Sequence, residues 1–92
     1  MPDGADPPAD AYGQAKRCLE IVLEALSAAG AGPEHVVRTR MFLVDVADWQ
    51  EVGRAHGDVF AEIRPASTMV VVAALLDPRW KVEIEADAVL DD

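Results

Sequence analysis

Cysteine is nearly absent: Cys18 is the single one among 92 residues. No intrachain disulfide can staple the fold, which points to a reducing compartment. Cations are also scarce, because 8 Lys and Arg against 17 Asp and Glu leave a formal charge of -9. The basic residues form no cluster. Proteins that track nucleic-acid phosphates or dock on anionic lipid draw their affinity from such clusters, so neither nucleic acid nor a membrane surface is expected as a partner. Long apolar runs are missing too, none approaching the roughly 18–20 residues that a membrane span needs. The first residues, MPDGADPPAD, carry neither a basic n-region nor an apolar h-region, so no secretory signal is read there. The expected location is the cytoplasm.

What is present is apolar. Hydrophobic residues make up 51% of the chain, too many for a disordered acidic tail. The length suits one domain, which buries only about 60–65% of its unfolded surface when it folds alone. Residues 1–9 read as a flexible leader, and residues 10–92 as the folded domain. Asp10 suits the cap of a helix running to about Ala29, with Gly30 as its left-handed stop. Ala15, Cys18, Leu19, Val22, Leu23 and Leu26 give that helix one apolar stripe.

Val36 to Asp45 reads as a strand, with Val37, Thr39, Met41 and Leu43 on one face and Arg38, Arg40 and Phe42 on the other. Asp48 and Glu51 fit a capping box for a second helix, whose stripe runs Val52, Ala55, His56, Val59, Phe60, Ile63 and stops at Arg64-Pro65. The last third reads as a hairpin: a strand from Ser67 to Leu76, a turn at Asp77-Pro78-Arg79, and a strand from Trp80 to Leu90. The order helix, strand, helix, strand, strand predicts an α+β fold, its sheet backed by two helices. A strand from Ser67 to Leu76 that is apolar on both faces needs cover on its second face, and open strand edges invite pairing. An oligomer supplies both.

Chemistry-bearing residues are few. Glu83, Glu85 and Asp87 share one strand face, and Arg38 and Arg40 share another. If the two strands are close, the acids and arginines pair across a sheet face, and a carboxylate there can position a water or accept a proton. Otherwise the three acids are a solvated face. His35 and His56 have no metal-ligand spacing around them, so structural roles are expected and no metal site is. Cys18 sits at core spacing. Ser67 and Thr68 begin a strand without a GxSxG elbow. No glycine-rich phosphate loop occurs, so nucleotide binding has no support.

Three blocks carry a resemblance: AAGAGPEHVVRTRMFLVDVADWQEVGRAHGDVF, RPASTMVVVAALL and VEIEADAV. From about Asp10 to Val89 the chain resembles the YjgF/RidA family of small trimeric proteins. The resemblance implies a chorismate-mutase-like α+β fold, a homotrimer with a barrel-like core, and a cleft between subunits. It implies no cofactor. Family members carry strands before the first helix where this sequence has its short leader, so an unpaired sheet edge is expected.

Family deaminases hydrolyse enamines or imines such as 2-iminobutanoate and 2-iminopropanoate. After the Pro-Ala pair they bind the substrate carboxylate with an arginine, whose fork is planar and bidentate. Here Pro65-Ala66 is followed by Ser67. Met69 falls where the family backbone contacts substrate, Gly53 stands where the deaminases have asparagine, and Glu83 matches the glutamate that positions water. The expectation is a small-molecule-binding protein, not an efficient deaminase. Ser67, Thr68 and Met69 would line the site, Glu83 would be its acid, and the ligand would be neutral or weakly basic. The alternatives are weak imine hydrolysis through Glu83 and water, and a structural or helper subunit of an associated enzyme.

Overall fold

The computed structural model describes residues 6–90. Of the leader expected over residues 1–9, the first five lie outside the described residues. Asp6 ion-pairs with Arg79 at 3.1 Å, and the Pro8 carbonyl accepts from Gln14 at 2.8 Å.

Helix α1 spans Ala11–Ala28. Asp10 caps it as expected, its Oδ1 accepting from the Gly13 N–H at 2.9 Å. The cap approaches so closely that a Cβ on residue 13 would lie 2.6 Å from this oxygen, and the Asp10 side chain would have to shift to admit one. At the other end Gly30 takes φ 83°. Its N–H reaches the Ser27 carbonyl at 3.1 Å and that of Ala31 reaches Leu26 at 2.8 Å, a Schellman closure.

Strand β1 (Val36–Leu43) is the centre of a three-stranded sheet in the order β2-β1-β3. Strand β2 (Ala66–Val71) runs parallel to it and β3 (Val82–Ala88) antiparallel. A parallel pair needs a crossover, which helix α2 (Trp49–Phe60) provides.

The expected hairpin does not form, because β2 and β3 lie on opposite sides of β1 and never pair. Nor does the first of them reach Leu76. The ladder runs out where β1 ends: Leu43 pairs with Val71, and the Val72 N–H closes on the Leu43 carbonyl at 2.7 Å. Residues 72–81 then leave the ladder and lead into β3, turning at Asp77, whose Oδ1 accepts from the Arg79 N–H at 2.8 Å.

Two local expectations also change. The register of β1 and β3 shifts between Val36 and Arg38. This bulge buries Val36 and turns Val37 outward, at 3% and 49% exposure. The Asp48–Glu51 capping box is absent, since Asp48 makes no side-chain cap bond. It sits instead at the end of a 3-10 turn, Val46–Asp48, capped by Asp45 on the Ala47 N–H at 2.9 Å.

Both helices cover one face of the sheet. The core joins Ala15, Cys18 and Leu19 of α1 and Val52, Ala55 and Phe60 of α2 to Met41, Leu43, Val82 and Ile84. Alternation sends Arg38, Arg40 and Phe42, Thr68 and Val70, and Glu83, Glu85 and Asp87 to the other, open face. Among the described residues no helix is long and apolar enough to cross a membrane.

Candidate functional site

The head of β2 is built by a strained turn. Helix α2 ends where the Arg64 N–H meets the Phe60 carbonyl at 2.9 Å, with Arg64 at φ 56°. A non-glycine residue held there costs on the order of 1 kcal/mol or more. Pro65 then redirects the chain into Ala66–Val71.

Ser67 pairs in register with Thr39 on β1, on the helix side. Its Oγ lies 2.9 Å from Thr39 Oγ1, 3.4 Å from His56 Nε2 and 3.2 Å from the Pro65 carbonyl oxygen. Thr39 Oγ1 and His56 Nε2 are 2.8 Å apart. Thr39 is fully buried, whereas Ser67 is exposed at the strand edge. The His56 ring leans on Phe60, with centroids 4.8 Å apart. Burial pushes its pKa below the ordinary histidine value, favouring the neutral ring.

In the sequence Ser67 begins a strand with no GxSxG elbow, and His56 belongs to the apolar stripe of α2. The crossover brings them together: α2 connects two parallel strands and packs back over both. A histidine inside an otherwise apolar stripe was the signal available.

The other expected residues separate. Met69 faces the helices and packs on the core, while its backbone pairs in register with Met41. Thr68 lies on the open face opposite Arg40, and Glu83 lies on the same face opposite Phe42. With β1 between them and a two-residue offset along the strands, these two are about 12 Å apart. One chain thus puts Ser67 and Met69 on one face and Thr68 and Glu83 on the other.

The pairing of arginines with acids is present through Arg40. Its guanidinium reaches Glu85 Oε2 at 2.9 Å and Asp87 Oδ2 at 3.4 Å. The Glu85 hydrogen bond, ahead of the other causes, raises the arginine's pKa further. Arg38 sits in register with Asp87.

Gln14 sets the approach to β3, and it was not anticipated. Although it lies in α1, it is buried; its Nε2 donates to the Pro8 and Arg79 carbonyls at 2.8 and 3.0 Å, and its Oε1 accepts from the Lys81 N–H at 2.7 Å. It thereby fixes the chain just before Glu83. Beyond the end of β1, Val44, Leu75, Pro78 and Trp80 line a cleft of about 420 Å³. The Trp80 Nε1–H is buried without a hydrogen-bond partner among the described residues.

The remaining candidates are structural. Cys18 is buried with Sγ 3.9 Å from the Val82 carbonyl oxygen, and burial pushes its thiol pKa up, away from a reactive thiolate. His35 accepts the Gly32 N–H on Nδ1 at 2.9 Å, holding the turn before β1. Gly53 has open space around it, a Cβ there meeting nothing within 4 Å. Among the described residues no group of His, Cys, Asp and Glu is arranged to hold a metal ion.

The Endoribonuclease L-PSP family matches residues 3–90. An uncharacterized protein of Streptomyces coelicolor is 39% identical over 79 residues, covering 86% of this chain and 59% of that protein. Reactive Intermediate Deaminase A of Arabidopsis thaliana is 36% identical over 77 residues, covering 84% and 41%. Among solved structures, a Mycobacterium tuberculosis member of the YjgF/YER057c/UK114 family superposes with a TM-score of 0.89 at 43% identity, covering 90% and 70%. E. coli TdcF with bound serine does so with 0.89 at 31% identity, covering 99% and 73%. The chain spans 59–65% of the length of the first relatives it matches.

Proposed function

We propose, on the premise that this chain belongs to the YjgF/RidA (Endoribonuclease L-PSP) family, that it binds a small neutral or weakly basic molecule in a cleft between the subunits of a homotrimer. The observation that carries this reading is Ser67. It occupies the position at which the family deaminases grip a carboxylate with arginine, and its hydroxyl is hydrogen-bonded to Thr39 and His56. Arg40 is on the other face of the sheet and engaged by Glu85 and Asp87. A carboxylate ligand therefore loses its fork and meets a chain of charge -9. RNA meets the same field without a basic patch, which weighs against a nuclease role despite the family's description.

Two further observations bear on the ligand's size and on the acid that would meet it. The TdcF structure holds serine, a molecule of a few heavy atoms whose carboxylate is the group this chain is proposed not to grip. Glu83 is exposed on the open face, while Arg40 pairs with Glu85 and Asp87. A neighbouring chain would be needed to bring that face and a β2 head into one cleft, and a closed trimer would repeat that cleft three times.

Calorimetric titration tests the reading with a matched pair, 2-oxobutanamide and 2-oxobutanoate. The amide is expected to bind and the acid to bind at least about tenfold more weakly, because a carboxylate desolvated without a cation to pair it costs roughly 1–3 kcal/mol or more. Ser67→Arg should reverse the order. Tighter binding of the acid by the unmodified chain would overturn the proposal.

The exposed carboxylate of Glu83 also favours a second reading, slow imine hydrolysis with Glu83 holding the water. Keto-acid release from an enamine generated by threonine dehydratase should then be slow and lost in Glu83→Ala. Equal rates in the two proteins would end that reading.

A further inference from the structure

Thr39 Oγ1, Ser67 Oγ and His56 Nε2 form a closed set, with separations of 2.8, 2.9 and 3.4 Å. Counting protons fixes how they can bond. Each hydroxyl has one proton to give. When the neutral ring carries its proton on Nδ1, Nε2 only accepts, so Thr39 donates to it. Thr39 then has lone pairs alone to offer Ser67, and the serine proton turns inward to Thr39 or to the Pro65 carbonyl oxygen 3.2 Å away. A serine lone pair is left facing out. When the ring is an imidazolium, Nε2 must donate. Thr39 accepts from it and gives its own proton to Ser67, whose proton then goes either to the Pro65 carbonyl oxygen or to an outside acceptor that displaces that 3.2 Å contact.

We propose that Ser67 is a ligand contact whose polarity is set by the protonation of His56 through Thr39. With the ring neutral it accepts from amine or amide N–H groups; with the ring protonated it donates to carbonyl or carboxylate oxygens. The proposal rests on the reading of the β2 head as the ligand site, and adds what the site selects and when. Thr39 is fully buried, so no solvent competes for the middle of the relay.

The charged groups near His56 do not mask the effect. On its own helix they are Glu51, Arg54 and Asp58, followed by Glu62 and Arg64; β1 carries Arg38 and Arg40, and β2 carries none. The neighbouring helix α1 carries Lys16, Arg17, Glu20 and Glu24. Arg38 and Arg40 lie on the far face of the sheet. Asp58 accepts from the Tyr12 hydroxyl, and Arg54 lies 4.0 Å over the same ring. Burial, and no charged neighbour, moves the imidazole from its ordinary value.

Two probes with fixed hydrogen-bonding character separate relay from charge: N,N-dimethylacetamide, an uncharged acceptor, and propylammonium, a donor. Nuclear magnetic resonance of the ¹⁵N-labelled full chain reads their binding at Ser67 and the state of the His56 ring nitrogens between about pH 7.5 and pH 5. The affinity ratio is expected to move toward the acceptor by up to about tenfold per pH unit while His56 titrates. In Thr39→Val dimethylacetamide should lose its pH dependence. A neutral ring with its proton on Nε2, a ratio that does not move, or an unchanged pH dependence in Thr39→Val each overturns the proposal. The ring-nitrogen measurement needs no variant, so it decides even if Thr39→Val does not fold. Binding of 2-oxobutanamide without any response at Ser67 would overturn this inference and leave the ligand-binding reading standing.

Discussion

The two faces of the sheet are made by alternate residues of the same three strands, yet they do different work. On the helix side Thr39, Met41, Leu43, Val82 and Ile84 are between 0% and 8% exposed. The one strand hydroxyl buried there, Thr39, is matched to His56 and Ser67. On the open side charges dominate, and the apolar members stay partly uncovered, Val70 at 40%. Burial of apolar area on the helix side holds the fold. The open side contributes little to that.

Adjacent residues offer the largest test of this division. Leu43 is fully buried and Phe42, its neighbour in sequence, faces out half-buried. Leu43→Ala should cost about 2–5 kcal/mol in denaturant unfolding. Phe42→Ala should cost about 1 kcal/mol or less, on partial burial alone. It should also weaken self-association measured by light scattering. Equal losses of stability, with association unchanged, would break the comparison.

The same division explains what could be read from the sequence. Signals acting within a turn or two were legible: the Asp10 cap, the Gly30 stop, the stripe of α1, and the faces of β3. The resemblance in RPASTMVVVAALL and VEIEADAV carried the fold class correctly. Long-range pairing was not legible. Strand propensity continues through Ala73 to Leu76, but β2 stops where its partner β1 ends, a limit that belongs to a strand twenty-odd residues away. The hairpin failed for a related reason, since period-two patterning says which face a residue takes and nothing about which strand lies beside it. His56 and Gln14 were missed because each meets polar partners in distant segments. The Val36–Arg38 bulge has no local marker, as both valines suit either face.

A smaller effect sharpens the role assigned to His56. Its pKa in the folded chain lies below the ordinary value near 6.5, through burial. On acidification the unfolded chain therefore takes up this proton first. The folded state is at full strength above about pH 6.5 and loses stability as the pH falls toward the folded value, levelling off below it. Carboxylates titrate in part of the same range, so unfolding should be compared at pH 7.5 and 5.5 with that of His56→Gln. The unmodified chain should lose more stability across the interval than the variant does. An equal or smaller loss would mean that the ring gains a favourable partner when protonated.

The least effect is expected at Arg40, and it bears most directly on the open face. Its pairs with Glu85 and Asp87 are partly solvated, with the acids about half exposed at 48% and 54%. Exposed pairs of this kind contribute little, because water and salt screen them. Arg40→Gln leaves Glu85 without its cation and Asp87 with only Arg38 in register across the strands. The result should be a small loss of stability that fades as sodium chloride is added, since it is repulsion among exposed charges. A large loss that persists at high salt would require the arginine to be shielded from solvent. Among the described residues nothing covers the open face, so such shielding is expected to come from another subunit. Measured below and above the association concentration, the salt response of this one substitution therefore reports whether the open face is covered.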